Sequence, residues 1–306
     1  MTISIISHPD CSLHEMGAHH PESPERLSAI QDQLLSSGLD SILQHHDAPL
    51  ASREQLYRAH DIEYVDYIFK KAPKEGQAWL DPDTSMNPHS LSAALRAAGA
   101  VILGVDLVMT GQSLAAFCNV RPPGHHAEHN KAMGFCIFNN IAVGAAHALQ
   151  THKLKRVAIV DFDVHHGNGT EDIFREVPEV LYCSTFQHPF YPDTDTNSAP
   201  EHIVKVPLPA GADGQAFRTA VKSHWLPKLE TFQPELIFIS AGFDAHVEDD
   251  MANLCLIEQD FSWVTNEIKK LAEKYAKGRI VSALEGGYTL SALGRSVAAH
   301  INTLLG

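Results

Sequence analysis

Asp161-Phe162-Asp163-Val164-His165-His166-Gly167-Asn168-Gly169 is the stretch on which the reading of this chain turns. The run before it, Arg156 to Val160, is short, apolar and β-branched, which predicts a buried parallel strand. The Gly-x-Gly that closes it leads into Thr170-Glu171-Asp172 and reads as a turn into a helix. An open parallel sheet collects ligands outside the carboxyl ends of its strands, so these charges stand where such a sheet keeps its chemistry. Alternation along an extended chain sets Asp161, Asp163 and His165 on one face and Phe162 and Val164 on the other. Two carboxylates and an imidazole on one side of a strand end resemble a metal cradle. A solvated acidic turn is the plainer alternative, but the apolar strand would bury those charges uncompensated.

Outward from that stretch, 306 residues allow one large α/β domain or two ordinary ones, and an apolar share of 44% suffices for a sizeable core. A formal net charge of −14 argues against non-specific nucleic-acid binding. An acidic face can attract a cationic substrate or simply keep a protein soluble. Met1 to Pro9 has no basic n-region and reads as a first strand rather than a signal peptide. No stretch is expected to be long and apolar enough to span a membrane. Cys11, Cys118, Cys136, Cys183 and Cys255 are scattered and odd in number, as suits reduced thiols in a cytoplasmic protein.

In chain order, Ile3 to Ser7 predicts the first strand. Ser23 is an expected helix N-cap with Pro24 at the first helical position, the helix running to about Ser37 and stopping at Gly38. Arg53 to Lys71 predicts one or two helices, and Pro73 to Pro88 a loop long enough for a functional rim. An Ala-rich helix is expected over Ser90 to Met109, and others over about Ile141 to Gln150, Gln215 to Thr231, Glu258 to Tyr275 and Ser291 to Leu305. Strands are expected over Ala115 to Val120, Val180 to Thr185, His202 to Pro207, Leu236 to Ser240 and Arg279 to Leu284. This alternation predicts a single α/β domain over residues 1–306, with a doubly wound, mostly parallel β-sheet flanked by helices.

Three further loops follow expected strands and so can face the same rim. Gly124-His125-His126 comes after Arg121-Pro122-Pro123; adjacent histidines there are harder to dismiss as structural than a lone one. Asp244, in Ser240-Ala241-Gly242-Phe243-Asp244-Ala245-His246, can supply a second metal carboxylate, or merely cap a helix. Glu285-Gly286-Gly287-Tyr288 brings backbone close to something and holds Tyr288 at the rim, where its hydroxyl can serve an oxyanion.

Together these motifs resemble the histone deacetylase and acetylpolyamine amidohydrolase family, of the arginase/deacetylase fold, from His19-His20-Pro21-Glu22 to Glu285-Gly286-Gly287-Tyr288. Asn168, where the class I branch carries aspartate, places the likeness nearest the class II branch and its bacterial relatives. The resemblance implies that Asp163, His165 and Asp244 hold one zinc ion. One nitrogen and two carboxylates leave a position open for water, as catalytic zinc needs, although iron(II) can replace zinc at an oxygen-rich site. It further implies His126 as general base and then acid, hydrogen-bonded by Asn168; His125 as its electrostatic partner, oriented by Asp161; and Tyr288 as oxyanion donor. Two potassium ions are implied. Asp161, Asp163, His165, Ser184 and Thr185 match the first, and Phe174, Val177 and Val180 match backbone ligands of the second. Gly134, Phe135 and Tyr191 would line a tunnel suited to an apolar four-carbon stem. Arg26 matches a residue near the pocket that handles released acetate.

An arginase-like dimanganese hydrolase would need a second carboxylate two residues after Asp244, where His246 stands. A non-catalytic acyl-lysine reader would keep the pocket but could lose a ligand or Tyr288, and neither is lost. By the resemblance, polyamine-selective members carry glutamate seven residues after the zinc aspartate; that position is Met251. Methionine suits an apolar stem or peptide surface. The acidic run Glu248-Asp249-Asp250 beside it weakens that inference, and Asp83 can accept hydrogen bonds from a bound peptide's backbone. The expected partner is therefore an acetylated lysine in a protein or peptide, with an acetylated polyamine as the alternative.

Overall fold

The computed structural model describes residues 2–306. Its strands are β1 (Ile3–Ser7), β2 (Gln44–Asp47), β3 (Ala78–Trp79), β4 (Ser85–Met86), β5 (Ala115–Cys118), β6 (Val157–Asp161), β7 (Val180–Gln187), β8 (Ile203–Leu208), β9 (Leu236–Ala241) and β10 (Ile280–Leu284). The helices are α1 (Glu25–Ser36), α2 (Arg53–Leu56), α3 (Ile62–Lys71), α4 (Ser90–Met109), α5 (Asn140–Thr151), α6 (Asn168–Phe174), α7 (Gly214–Ala220), α8 (Leu226–Phe232), α9 (Glu258–Tyr275) and α10 (Leu290–Leu305).

Eight strands form one sheet in the order β2-β1-β5-β10-β9-β6-β7-β8, and every pairing in it is parallel. Strands β5, β6, β7, β9 and β10 are buried at every position, which is why they read as continuous apolar runs. Alternation in β5 and β10 places helices on both faces. Ala116 and Val281 lie against Gly104 of α4, whereas Phe117 and Ser282 meet His300 of α10. The result is a single doubly wound α/β domain.

Several expectations are corrected. Helix α4 is long and apolar enough to cross a membrane by length and composition, contrary to the sequence reading. Its most apolar window is 67% buried inside the fold, so its apolarity is that of a core helix packed against α5, β1, β5 and β10. Helix α1 begins at Glu25 with Pro24 in the cap position and no side-chain cap; the N–H groups of Arg26 and Leu27 go to the Ser23 and Pro24 carbonyls. The expected helix over 215–231 is interrupted by a π turn, Val221–Trp225, just before Pro227, which has no N–H to continue the ladder. Strand β2, Gln-His-His-Asp, is a mostly exposed edge strand with no apolar alternation to betray it. The loop over 73–88 contains the β3–β4 hairpin.

Strands β5, β10, β9 and β6 are consecutive neighbours in the sheet. The four chemistry-bearing loops follow these strands, so topology alone gathers them at one edge.

Candidate active site

At the carboxyl ends of β6 and β9, Asp163, His165 and Asp244 converge, each offering one ligand atom within 4.8 Å of the others. His165 Nδ1 lies 3.1 Å from Asp163 Oδ1 and 3.3 Å from Asp244 Oδ2. Backbone amides hold the carboxylates: Gly286 N–H donates to Asp163 Oδ2 at 2.8 Å and Val164 N–H to Asp244 Oδ1 at 2.9 Å. Asp244 Oδ2 is buried without a hydrogen-bond partner. The backbone comes this close because of two glycines. A Cβ on Gly242 would sit 1.9 Å from Asp163 Oδ2, and one on Gly286 2.0 Å from Asp244 Oδ2.

Two buried carboxylates share one imidazole here. Burial, and then the charge of Asp163, push Asp244 up to about 6. Burial opposes charge on His165, yet the Asp163 and Asp244 carboxylates beside its ring push it up to about 10. A buried nitrogen and two carboxylates, one oxygen unpartnered, fit a divalent metal with an open position. His246 is not part of this group: its Nε2 lies 3.5 Å from Glu258 and its ring stacks on Phe261.

His125 and His126 follow β5 with ring centroids 4.1 Å apart. His125 Nδ1 contacts Asp161 Oδ2 at 3.0 Å and Nε2 lies 3.8 Å from Asp163 Oδ2. Burial opposes its charge, but the Asp163 and Asp161 carboxylates prevail and push it up to about 10. His126 is the opposite case. Burial, then the positive charges of His125 and His165, hold it well below its ordinary value. Its Nδ1 donates to Asn168 Oδ1 at 2.8 Å, which leaves Nε2 for the cleft that His126 lines. Asn168 Nδ2 in turn donates to Glu128 Oε1 at 2.8 Å, which fixes the amide's orientation.

That cleft, about 220 Å³, is lined by Asp83, His126, Gly134, Phe135, His165, Phe190, Tyr191, Met251 and Tyr288. The five residues expected to meet substrate therefore share one cavity with the expected base, a metal ligand and Tyr288. Phe135 adopts a left-handed φ of 68° beside Gly134, itself at 57°. Asp83 Oδ1 accepts from Gly134 N–H at 3.2 Å and from Thr84 Oγ1 at 3.0 Å, tying the β3–β4 hairpin to the cleft wall. Burial and then the Asp244 charge raise Tyr288 well above its ordinary value, so it remains an O–H donor. Arg26 stacks over the Tyr288 ring at 4.9 Å and donates to the Gly287 carbonyl at 2.6 Å.

Of the positions matched to potassium, Asp161 and Ser184 are register partners across β6 and β7, and Thr185 is adjacent. The Phe174 carbonyl accepts from Val177 N–H and from His202 Nε2, and the Val177 carbonyl from Val180 N–H.

Four further residues support the site. Glu285 is buried; its Oε2 accepts from Gly124 N–H at 2.7 Å and His125 N–H at 3.1 Å, fixing the His125–His126 turn, and burial pushes it up to about 7. The signal was there, a carboxylate directly after the apolar run of β10. Tyr182, two residues before Ser184, donates to Asp161 Oδ2 at 2.9 Å. Phe190 stacks on His165 at 5.5 Å. Asp249 is buried; its Oδ2 accepts from the Tyr288 and Thr289 N–H groups and its Oδ1 from Met251 N–H. His166 turns away from the cleft to Glu171 and Ser184.

A parallel sheet with a candidate metal centre under a narrow aromatic cleft, beside two adjacent histidines, is an α/β architecture with a ligand site at its strand ends. The comparisons narrow it. The histone deacetylase domain matches residues 20–304. A histone deacetylase-like amidohydrolase of Pseudomonas aeruginosa is 38% identical, over 89% of this chain and 73% of that protein. The polyamine deacetylase HDAC10 of Mus musculus is 35% identical, over all of this chain but 48% of that protein. The crystal structure of the HDA15 HD domain superposes with a TM-score of 0.92 at 34% identity, covering 100% of this chain and 90% of the other. The chain belongs to the histone deacetylase family and is a hydrolase of its deacetylase and amidohydrolase group.

Proposed function

We propose that this protein is a zinc-dependent deacylase that removes acetyl groups from the ε-amine of lysine in proteins or peptides. The observation that carries the substrate class is the state of the acidic run at the mouth. Glu248 is exposed but paired with Arg295 at 2.6 Å, and Asp249 is buried and committed to three backbone N–H groups, which leaves Asp250 as the exposed carboxylate of the run outside any ion pair among the described residues. Met251 lines the cavity instead, with Phe135, Phe190 and Tyr191. Such walls accept a lysine's apolar stem and offer little to a secondary ammonium.

Asp163, His165 and Asp244 would hold the zinc ion, which when bound activates a water and polarises the acyl carbonyl. His126, neutral and with Nε2 towards the cleft, would accept a proton there as general base and pass it to the departing amine. His125, kept as imidazolium by Asp161 and Asp163, balances charge beside it. Tyr288 donates its O–H to the developing oxyanion. Two potassium ions, one about Asp161 and Ser184 and one at the Phe174, Val177 and Val180 carbonyls, complete the proposal.

An acetylpolyamine hydrolase is the second reading, favoured by exposed Asp250 and by the mouse relative's name. The deciding experiment compares kcat/KM on an acetyl-lysine peptide with that on acetylputrescine and acetylspermidine, in wild type and Met251→Glu. The peptide should win in wild type and the substitution should shift preference towards the polyamines. A wild-type preference for acetylpolyamines of tenfold, about 1.4 kcal/mol in transition-state binding, would overturn the peptide assignment.

A further inference from the structure

A second group of side chains with metal-ligand chemistry lies away from the cleft, where α4 packs on α5. Asp106, in the last turns of α4, presents Oδ1 to His147 Nε2 at 2.9 Å and to His152 Nε2 at 2.7 Å. His147 belongs to α5 and His152 is its C-cap. The two rings stand 5.5 Å apart at 74°, and the three ligand atoms lie within 4.8 Å of one another. His147 is buried, while Asp106 and His152 are half-exposed, so the cluster opens to solvent on one side. We propose that Asp106, His147 and His152 form a site for one divalent cation of the zinc class, clasping the end of α4 to the end of α5.

The donor set is two imidazole nitrogens and one carboxylate oxygen, with a fourth position open to water. Metal bonds of about 2.0–2.2 Å at a tetrahedral angle set donors roughly 3.3 Å apart, so each ring needs to withdraw by about half an ångström. Two stably packed helices hold the donors at nearly the required spacing. On binding, each neutral ring gives up its Nε2 proton and carries one on Nδ1 instead. For His147 an acceptor is in place: Thr151 Oγ1 lies 3.3 Å from Nδ1. Arg58 Nη1, which donates to that Nδ1 at 2.9 Å, gives up that bond and retains the one to Thr151 Oγ1 at 3.1 Å. The guanidinium beside His147, and one carboxylate rather than two, make this site weaker than the Asp163–His165–Asp244 group.

The test is zinc stoichiometry by equilibrium dialysis at neutral pH, with chelator-stripped wild type, His152→Ala and Asp106→Asn. Both variants are at partly exposed positions away from the cleft. Each should bind one zinc equivalent fewer than wild type, with kcat/KM unchanged. Zinc should also raise the Tm of Asp163→Ala, and should no longer do so once His152→Ala is added. Equal zinc content in wild type and folded His152→Ala would overturn the proposal, leaving the three side chains a hydrogen-bonded clasp.

Discussion

Tyr288 and the two histidines after β5 do different work because their surroundings differ by a few ångströms. Tyr288→Phe removes only the hydroxyl, since the ring's contacts with Arg26 and Phe135 survive. Loss of one oxyanion donor typically lowers kcat by about 10²–10³; steady-state kinetics on acetyl-lysine peptide should show that drop, and an unchanged kcat would remove Tyr288 from the mechanism. His126 is held low, so it is neutral at neutral pH and its Nε2 is free to accept a proton. Asn168→Asp places a carboxylate 2.8 Å from Nδ1, favours the imidazolium, and should move the acid limb of the kcat/KM profile to higher pH. A stationary limb in folded, metal-loaded enzyme would separate Asn168 from His126. Asp163, His165 and Asp244 were legible in sequence because each follows an apolar strand too closely to be solvated. Glu285 was not assigned, since its partners are backbone amides of a loop 161 residues away in the chain.

Between elements, two buried carboxylates join segments far apart in sequence. Glu22 is fully buried, with Arg26 Nη1 at 3.0 Å and Arg121 Nη2 at 2.7 Å, so α1 is tied to the loop after β5. Arg26 carries the link on to the loop after β10 through the Gly287 carbonyl. Removing one partner of such a network leaves uncompensated charge, and Glu22→Ala should cost about 3–5 kcal/mol in denaturant unfolding. Burial disfavours the Glu22 charge, but the Arg121 and Arg26 guanidiniums outweigh it and hold the carboxyl at about 2. A depressed folded-state value contributes stability that is present above the ordinary carboxylate range and lost as pH falls towards 2. The denaturant-unfolding stability of Glu22→Gln should therefore fall less steeply than that of wild type as pH drops through that window. Asp249 ties the Met251 loop to Tyr288; Asp249→Ala should lower kcat for peptide by loosening both, and unchanged kinetics would show that the loops hold without it. Neither link had a local signature. The same is true of β2, an edge strand with polar side chains, and of the π turn that divides α7 from α8.

For the whole molecule, the alternation of apolar strands and helices was enough to give the doubly wound sheet, because strands covered on both faces must be apolar throughout. The expectation that no stretch is long and apolar enough to span a membrane fails in one place. Helix α4 is as apolar as a membrane span, and its two-sided packing is a property of the assembled fold that no local window reports. The central claim is that one sheet edge assembles a metal-dependent amide hydrolase from four loops. The most direct measurement is acetate release from an acetyl-lysine peptide by chelator-stripped protein before and after zinc is restored, in wild type and Asp244→Ala. Turnover should vanish on stripping, return with zinc in wild type, and stay absent in Asp244→Ala. Full turnover by the stripped enzyme, or by Asp244→Ala, would contradict it.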